Sequence, residues 1–165
     1  GRLGRAARYM GRASERAERT RNDIPMTDGY AGDISPKDAW DLLQNDPKAV
    51  LVDVRTHAEW AYVGLPDLSP LGKELRMISW VLFPKGEVNP EFTDDLEDQV
   101  ADKDATVLFL CRSGVRSIAA AKAATEAGYV KSYNILTGFE GDKDADNHRG
   151  AVAGWKVDGL PWVQK

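Results

Sequence analysis

A chain of 165 residues has room for one hydrophobic core and not for two large ones. With 42% hydrophobic and 29% charged residues, 15 glycines and 8 prolines, its make-up is that of an ordinary globular protein, which excludes collagenous, mucin-like and wholly disordered chains. One cysteine excludes an internal disulfide framework and a cysteine-built zinc cluster, two histidines argue against a His-rich metal site, and no apolar run approaches the roughly 18 to 20 residues that cross a bilayer. The expectation is therefore a cytoplasmic monomer with no metal, no cofactor and no transmembrane segment.

Charge divides the chain. Residues 1–25 hold seven arginines (Arg2, Arg5, Arg8, Arg12, Arg16, Arg19 and Arg21) against Glu15, Glu18 and Asp23, a formal +4, and the remainder carries −8. With few apolar side chains to bury, residues 1–31 are expected to form a basic, disordered arm ahead of a single domain spanning 32–165. The acidic body argues against a nucleic-acid surface on that domain.

From residue 32 onward helices and short apolar strands alternate, the pattern of an α/β domain. Ser35, Pro36 and Asp38 open a helix with a capping side chain, a proline in the first turn and a carboxylate behind it; Ala39, Trp40, Leu42 and Leu43 form its buried face, and Asn45-Asp46-Pro47 end it. The run from Ala49 to Val54 reads as a central parallel strand covered on both faces. Thr56 with Glu59 is a capping box for a short helix through His57, Trp60 and Ala61, stopped by Gly64. Leu75 to Phe83 is strand-like without a clear period. Asn89 and Pro90 start a helix with Phe92, Leu96 and Val100 on one face and Asp94, Asp95, Glu97 and Asp98 toward water. Thr106 to Leu110 is a short strand, and Ser117 to Ala127 is strongly helical up to Gly128.

Between that last strand and helix lies Cys111-Arg112-Ser113-Gly114-Val115-Arg116. The cysteine thus ends a strand on a loop feeding a helix, the crevice where open α/β sheets bind ligands. Loop amides, the positive end of the helix and two guanidinium groups all favour an anion at the sulfur, and the thiolate with it. Gly114 suits a loop curling over a sulfur, and Ser117 is placed to cap the helix or to donate to a bound anion.

Here the chain resembles the rhodanese family of sulfurtransferases. The resemblance rests on Asp53-Val54-Arg55 followed by Glu59-Trp60 and Gly64, on the loop Cys111 to Ser117, and on Asn134-Ile135-Leu136-Thr137-Gly138-Phe139-Glu140-Gly141, and it covers roughly residues 32–162. It implies a small parallel sheet flanked by helices on both faces. It also implies a cysteine that takes a sulfane sulfur from a donor such as thiosulfate, becomes a persulfide, and yields the sulfur to a thiophilic acceptor such as cyanide. Gly64-Leu65-Pro66-Asp67-Leu68 departs from the family's usual Gly-His-Ile-x-Gly-Ala, so the wall of the site built there differs.

The reaction assigns roles. Cys111 is the nucleophile, since sulfur transfer through a covalent intermediate needs a soft thiolate that also leaves as one. The amides from Arg112 through Ser113, Gly114, Val115 and Arg116 to Ser117 are expected to hold the persulfide and the departing anion, with Arg112 and Arg116 contacting the donor. Arg116 has an alternative, pairing with a carboxylate beneath the loop. Asp53 is a partner for loop amides or an arginine, Arg55 and Glu59 are expected to pair with each other, and His57 and His148 are read as bystanders. The partners are a small anionic donor and a thiophilic acceptor. Two other readings stand beside this one: a cysteine phosphatase or arsenate reductase, which commonly places five residues between cysteine and arginine where this loop has four, and a rhodanese-like binding module without turnover.

Overall fold

The computed structural model describes residues 29–82 and 85–164, so the basic arm expected over residues 1–31 lies almost wholly outside the described residues. The unit beginning at Gly32 is built on five strands: β1 (Gly32–Ile34), β2 (Val50–Asp53), β4 (Arg76–Met77), β7 (Val107–Leu110) and β8 (Ser132–Ile135), ordered β1-β8-β7-β2-β4 with every neighbouring pair parallel. Four helices connect them: α1 (Pro36–Asn45), α2 (His57–Tyr62), α3 (Phe92–Gln99) and α4 (Arg116–Glu126). Two small antiparallel pairs complete the fold, β3 (Leu65–Pro66) with β9 (Trp162–Val163), and β5 (Val81–Leu82) with β6 (Glu87–Val88).

Local sequence accounts for the helix starts. The Ser35 hydroxyl accepts from the Asp38 amide at 3.1 Å, and Thr56 and Glu59 form a full capping box. The helix after the cysteine begins one residue earlier than its sequence suggests, and its N-cap, Val115, offers no side-chain cap. Ser117 is therefore inside the first turn and its hydroxyl is free for another partner. The Leu75–Phe83 stretch is two short strands. Arg76–Met77 joins the sheet edge, the amides of Ile78 and Trp80 go on to the Asp53 and Val54 carbonyls, and Val81–Leu82 then turns into its own hairpin; Phe83 lies outside the described residues.

The strand period of two sorts the core into two layers. Leu51, Leu108, Leu110 and Ile135 pack with Ala39 and Leu43 of α1 and with Phe139 and Trp155. The alternate positions face the other way, where Phe109 meets Phe92 of α3 at 6.2 Å between ring centroids. The helix α4 buries Ala120, Ala121 and Ala124, whose small side chains let it lie close on that second layer. The chain beyond Gly150 folds back, as its tryptophans suggest: Trp155 is fully buried, donates from Nε1 to the Pro161 carbonyl at 2.7 Å and lies edge-on to Trp40.

Register fixes where the chemistry sits. Asp53 is level with Leu110, the last residue of β7, and the Val54 amide donates to the Leu110 carbonyl at 2.8 Å. Both strands thus end together, which brings the segment from Val54 to Arg55 and the loop that begins at Cys111 to the same carboxyl edge of the sheet.

Candidate active site

Four fully buried residues, Val107 to Leu110, lead into Cys111, which is 1% exposed. The chain then reverses through Gly114 at φ 99°, a conformation that L side chains rarely adopt. That reversal aims the Gly114 amide at the cysteine Sγ, 3.1 Å away. The hydroxyl of Ser117, one turn into α4, lies 3.1 Å from the same sulfur. Of the amides from Arg112 to Ser117, that of Gly114 is directed at the sulfur, and Ser117 contributes its side chain. Arg112, Ser113 and Val115 lie on the outer part of the loop, Arg112 and Val115 exposed.

A second loop holds the first in shape. The Phe139 amide donates to the Cys111 carbonyl at 2.9 Å, and those of Glu140 and Gly141 donate to the Arg112 carbonyl at 2.9 and 3.1 Å. These bonds draw the two carbonyls toward Gly138–Gly141 and away from the loop's interior. Gly138 has φ 59°, and a Cβ there would fall inside contact distance of the Cys111 carbonyl and the Arg112 backbone. Arg149 backs this loop, donating to the Gly141 carbonyl at 2.8 Å.

Beneath the cysteine loop run two ion pairs, and they correct the expected pairing of Arg55 with Glu59. Arg55, fully buried, grips Asp53 instead, Nε to Oδ1 at 2.9 Å and Nη2 to Oδ2 at 2.6 Å, and also reaches the Gly64 carbonyl at 2.7 Å. Its guanidinium lies 4.3 Å from the centre of the Phe139 ring. Asp53 accordingly bonds an arginine rather than loop amides, apart from the Arg55 amide itself. Glu59 takes Arg116 in a two-pronged pair, 2.7 and 2.9 Å. The alternative in which Arg116 pairs below the loop is thus the one observed. Spacing pointed to Glu59 because it lies near Arg55 in sequence, whereas Arg55 takes the still nearer Asp53, and Glu59 meets Arg116, 57 residues on, only when β2 and β7 end side by side.

The electrostatics follow. Burial pushes the Glu59 carboxyl up, but the Arg116 guanidinium, with the Thr56 amide and the Arg55 charge, outweighs it and holds the group below its ordinary value. Arg116 is raised, first by its bond to Glu59 and further by the nearby Cys111 and Asp53. Arg112 is exposed, and no described hydrogen bond or ion pair engages its guanidinium. Among the described residues no group of three or more His, Cys, Asp or Glu is placed to hold a metal ion, and no helix is long and apolar enough to cross a membrane. His57 is exposed against Trp60, and His148 is held by its amide to Asp144.

One residue of the site had no role assigned from sequence. Asn134 is fully buried on β8, accepts from the Ser117 hydroxyl, and donates from Nδ2 to Asp33 Oδ1 at 3.0 Å. Its signal was a polar residue in the middle of a short strand.

A family model described as the STR4 middle domain matches residues 31–165. The chain belongs to the rhodanese-like sulfurtransferase family. The crystal structure of Rv0390 from M. tuberculosis is 53% identical with a TM-score of 0.77, over 82% of this chain and 99% of that one. "Uncharacterized protein RC0915" of Rickettsia conorii is 42% identical over 125 residues, 75% of this chain and 90% of the relative. Thiosulfate sulfurtransferase GlpE of Haemophilus influenzae is 27% identical over 110 residues, 66% of this chain and 85% of that one. Within this rhodanese-like frame, the segment that departs from the family pattern has its own fastening: Leu65 and Pro66 pair with Val163 and Trp162, and Gly64 packs so tightly on Trp162 that a Cβ there would lie 2.9 Å from the ring and from the Val163 carbonyl.

Proposed function

We propose that this rhodanese-like protein moves a sulfane sulfur from a small anionic donor such as thiosulfate to a thiophilic acceptor such as cyanide, through a persulfide on Cys111. The observation that carries the reading is the Gly114 amide directed onto the cysteine sulfur itself, in a loop with four residues between Cys111 and Arg116. A cradle that closes on one atom suits a single sulfur; a phosphoryl group needs donors spread around three oxygens.

The Cys111 thiolate attacks the outer sulfur of thiosulfate. A bond forms between the two sulfurs, the old S–S bond breaks, and sulfite leaves with the electron pair. The charge that began on Sγ now sits on the outer sulfur of the persulfide. Cyanide then attacks that sulfur, the persulfide bond breaks, and Cys111 departs as thiolate while thiocyanate leaves. No proton moves in either step, so no general base is required.

The roles divide by geometry. Gly114 supplies the fixed dipole at Sγ, and α4 points its amino end at the same place. Arg112, with Ser113 and Val115 on the rim, meets the incoming anion. Arg116, committed to Glu59, adds positive potential and anchors the start of α4 rather than gripping the donor. Asp53 and Arg55 hold the floor.

Parallel kinetics test this. Thiosulfate:cyanide turnover is expected in the native protein and abolished by Cys111→Ser, with aryl phosphate hydrolysis negligible in both. Faster hydrolysis of the aryl phosphate than sulfur transfer by the native protein would overturn the reading.

A further inference from the structure

The chain of side chains behind the sulfur has an order that its donors and acceptors dictate. Asp33 accepts only, so Asn134 must turn Nδ2 toward it, at 3.0 Å, and Oδ1 toward Ser117. Oδ1 cannot donate. The single hydroxyl proton of Ser117 therefore faces two acceptors, Asn134 Oδ1 and Cys111 Sγ, the latter 3.1 Å from Oγ. Ser117 and Asn134 are fully buried, so no bulk water replaces whichever bond is not made.

We propose that Asn134 is a positioning residue that competes with the cysteine sulfur for the Ser117 proton, and so favours the states in which Sγ carries no charge. This rests on the reading of Cys111 as the nucleophile. When Sγ is a thiol, the bonds run in one direction: sulfur to Ser117, Ser117 to Asn134, Asn134 to Asp33, and every group is satisfied. When Sγ is a thiolate, Ser117 serves the sulfur only by abandoning Oδ1. When Sγ is loaded, the charge has moved to the outer sulfur, Sγ needs no donor, and the hydroxyl returns to Asn134. Asn134 thus keeps the thiolate less stabilised than Ser117 alone would, and tilts the exchange toward the persulfide.

The competition makes opposite predictions for two residues of one chain. Alkylation of Cys111 in the full-length protein by iodoacetamide, followed by intact mass, reads the thiolate without any sulfur donor. At about pH 6, where an ordinary thiol is almost wholly protonated, Ser117→Ala is expected to slow alkylation about threefold or more by removing the donor. Asn134→Leu is expected to speed it by a similar factor, about threefold, by releasing the proton to the sulfur. The double variant should match Ser117→Ala, because Asn134 acts only through Ser117. Near pH 10, where an ordinary thiol is mostly ionised, all rates should agree within about twofold, which separates this effect from altered access.

Asn134→Leu disturbs a buried strand, so Asp33→Ala, at an exposed position of β1, is the second arm. It removes the acceptor that orders the amide and should accelerate alkylation at about pH 6 in the same direction. Slowing by Asn134→Leu or Asp33→Ala, or no change in both, overturns the proposal. Because the assay needs no sulfur transfer, a missing persulfide in the native protein would refute the proposed activity and leave this result readable.

Discussion

Arg116 places both terminal nitrogens on the carboxylate of Glu59, at 2.7 and 2.9 Å, across 57 residues of sequence. The same carboxylate closes the capping box of α2 through Thr56. One acidic side chain therefore ties the start of α2 to the start of α4, immediately beneath the cysteine loop.

Replacing Glu59 by glutamine should remove the charge of that tie while keeping its shape. For a partly exposed pair of this kind the expected loss is about 1 kcal/mol of stability, read by urea denaturation. The pH dependence has a definite sign. The folded-state value of Glu59 lies below its ordinary 4.5, so its contribution is complete above that value and is lost as pH falls through the lower, folded one. The stability gap between the native protein and Glu59→Gln should accordingly be constant near neutrality and close as pH drops below 4.5.

Arg55 and Asp53 form a pair that is fully buried. Removing one partner leaves a charge stranded beneath the site, so Arg55→Met alone should cost about 3 to 5 kcal/mol. Adding Asp53→Asn to it should recover part of that loss. A double variant no more stable than Arg55→Met would show that the stacking of the guanidinium on Phe139, and not its charge, is what the fold needs.

Gly138→Ala tests the clamp. The new methyl has no room against the Cys111 carbonyl and the Arg112 backbone, and its φ of 59° is strained for any side chain. Stability should fall by about 2 kcal/mol or more, and sulfur transfer by a larger factor than stability alone explains, because the amides of Phe139 to Gly141 set the shape of the loop. Thermal melting and kcat/KM on one preparation check both.

The elements that local chemistry specifies were legible in the sequence. Ser35 and Thr56 announce their helices through side chains that bond within three residues, and the apolar run before Cys111 announces a buried strand. What could not be read were contacts between distant segments. Glu59 was read as the partner of its near neighbour Arg55, and only the register of β2 beside β7 brings Arg116 to it instead. Leu75 to Phe83 had no clear period because it changes partners, first a sheet edge and then a hairpin. Asn134 was visible as a residue of the family pattern, but its role depends on Ser117 and Asp33, which reach it from α4 and β1.

Removing residues 1–28 should leave the sulfur chemistry intact, since the family match begins at residue 31 and every residue assigned to the site lies beyond it. Turnover within about twofold of the full chain is expected, since the arginine-rich stretch ahead of the domain holds few apolar side chains to bury. A greater loss would assign the basic segment a part in the reaction.

The central claim is that Cys111 carries the sulfur, and intact-mass spectrometry tests it directly. After incubation with thiosulfate and removal of the excess, the native protein should gain the mass of one sulfur atom, localised to Cys111 by peptide mapping and discharged by cyanide as thiocyanate. Cys111→Ser should gain nothing. A native protein that stays at its original mass with thiosulfate and with every other sulfane donor offered, or a variant that still takes up sulfur, would contradict the account.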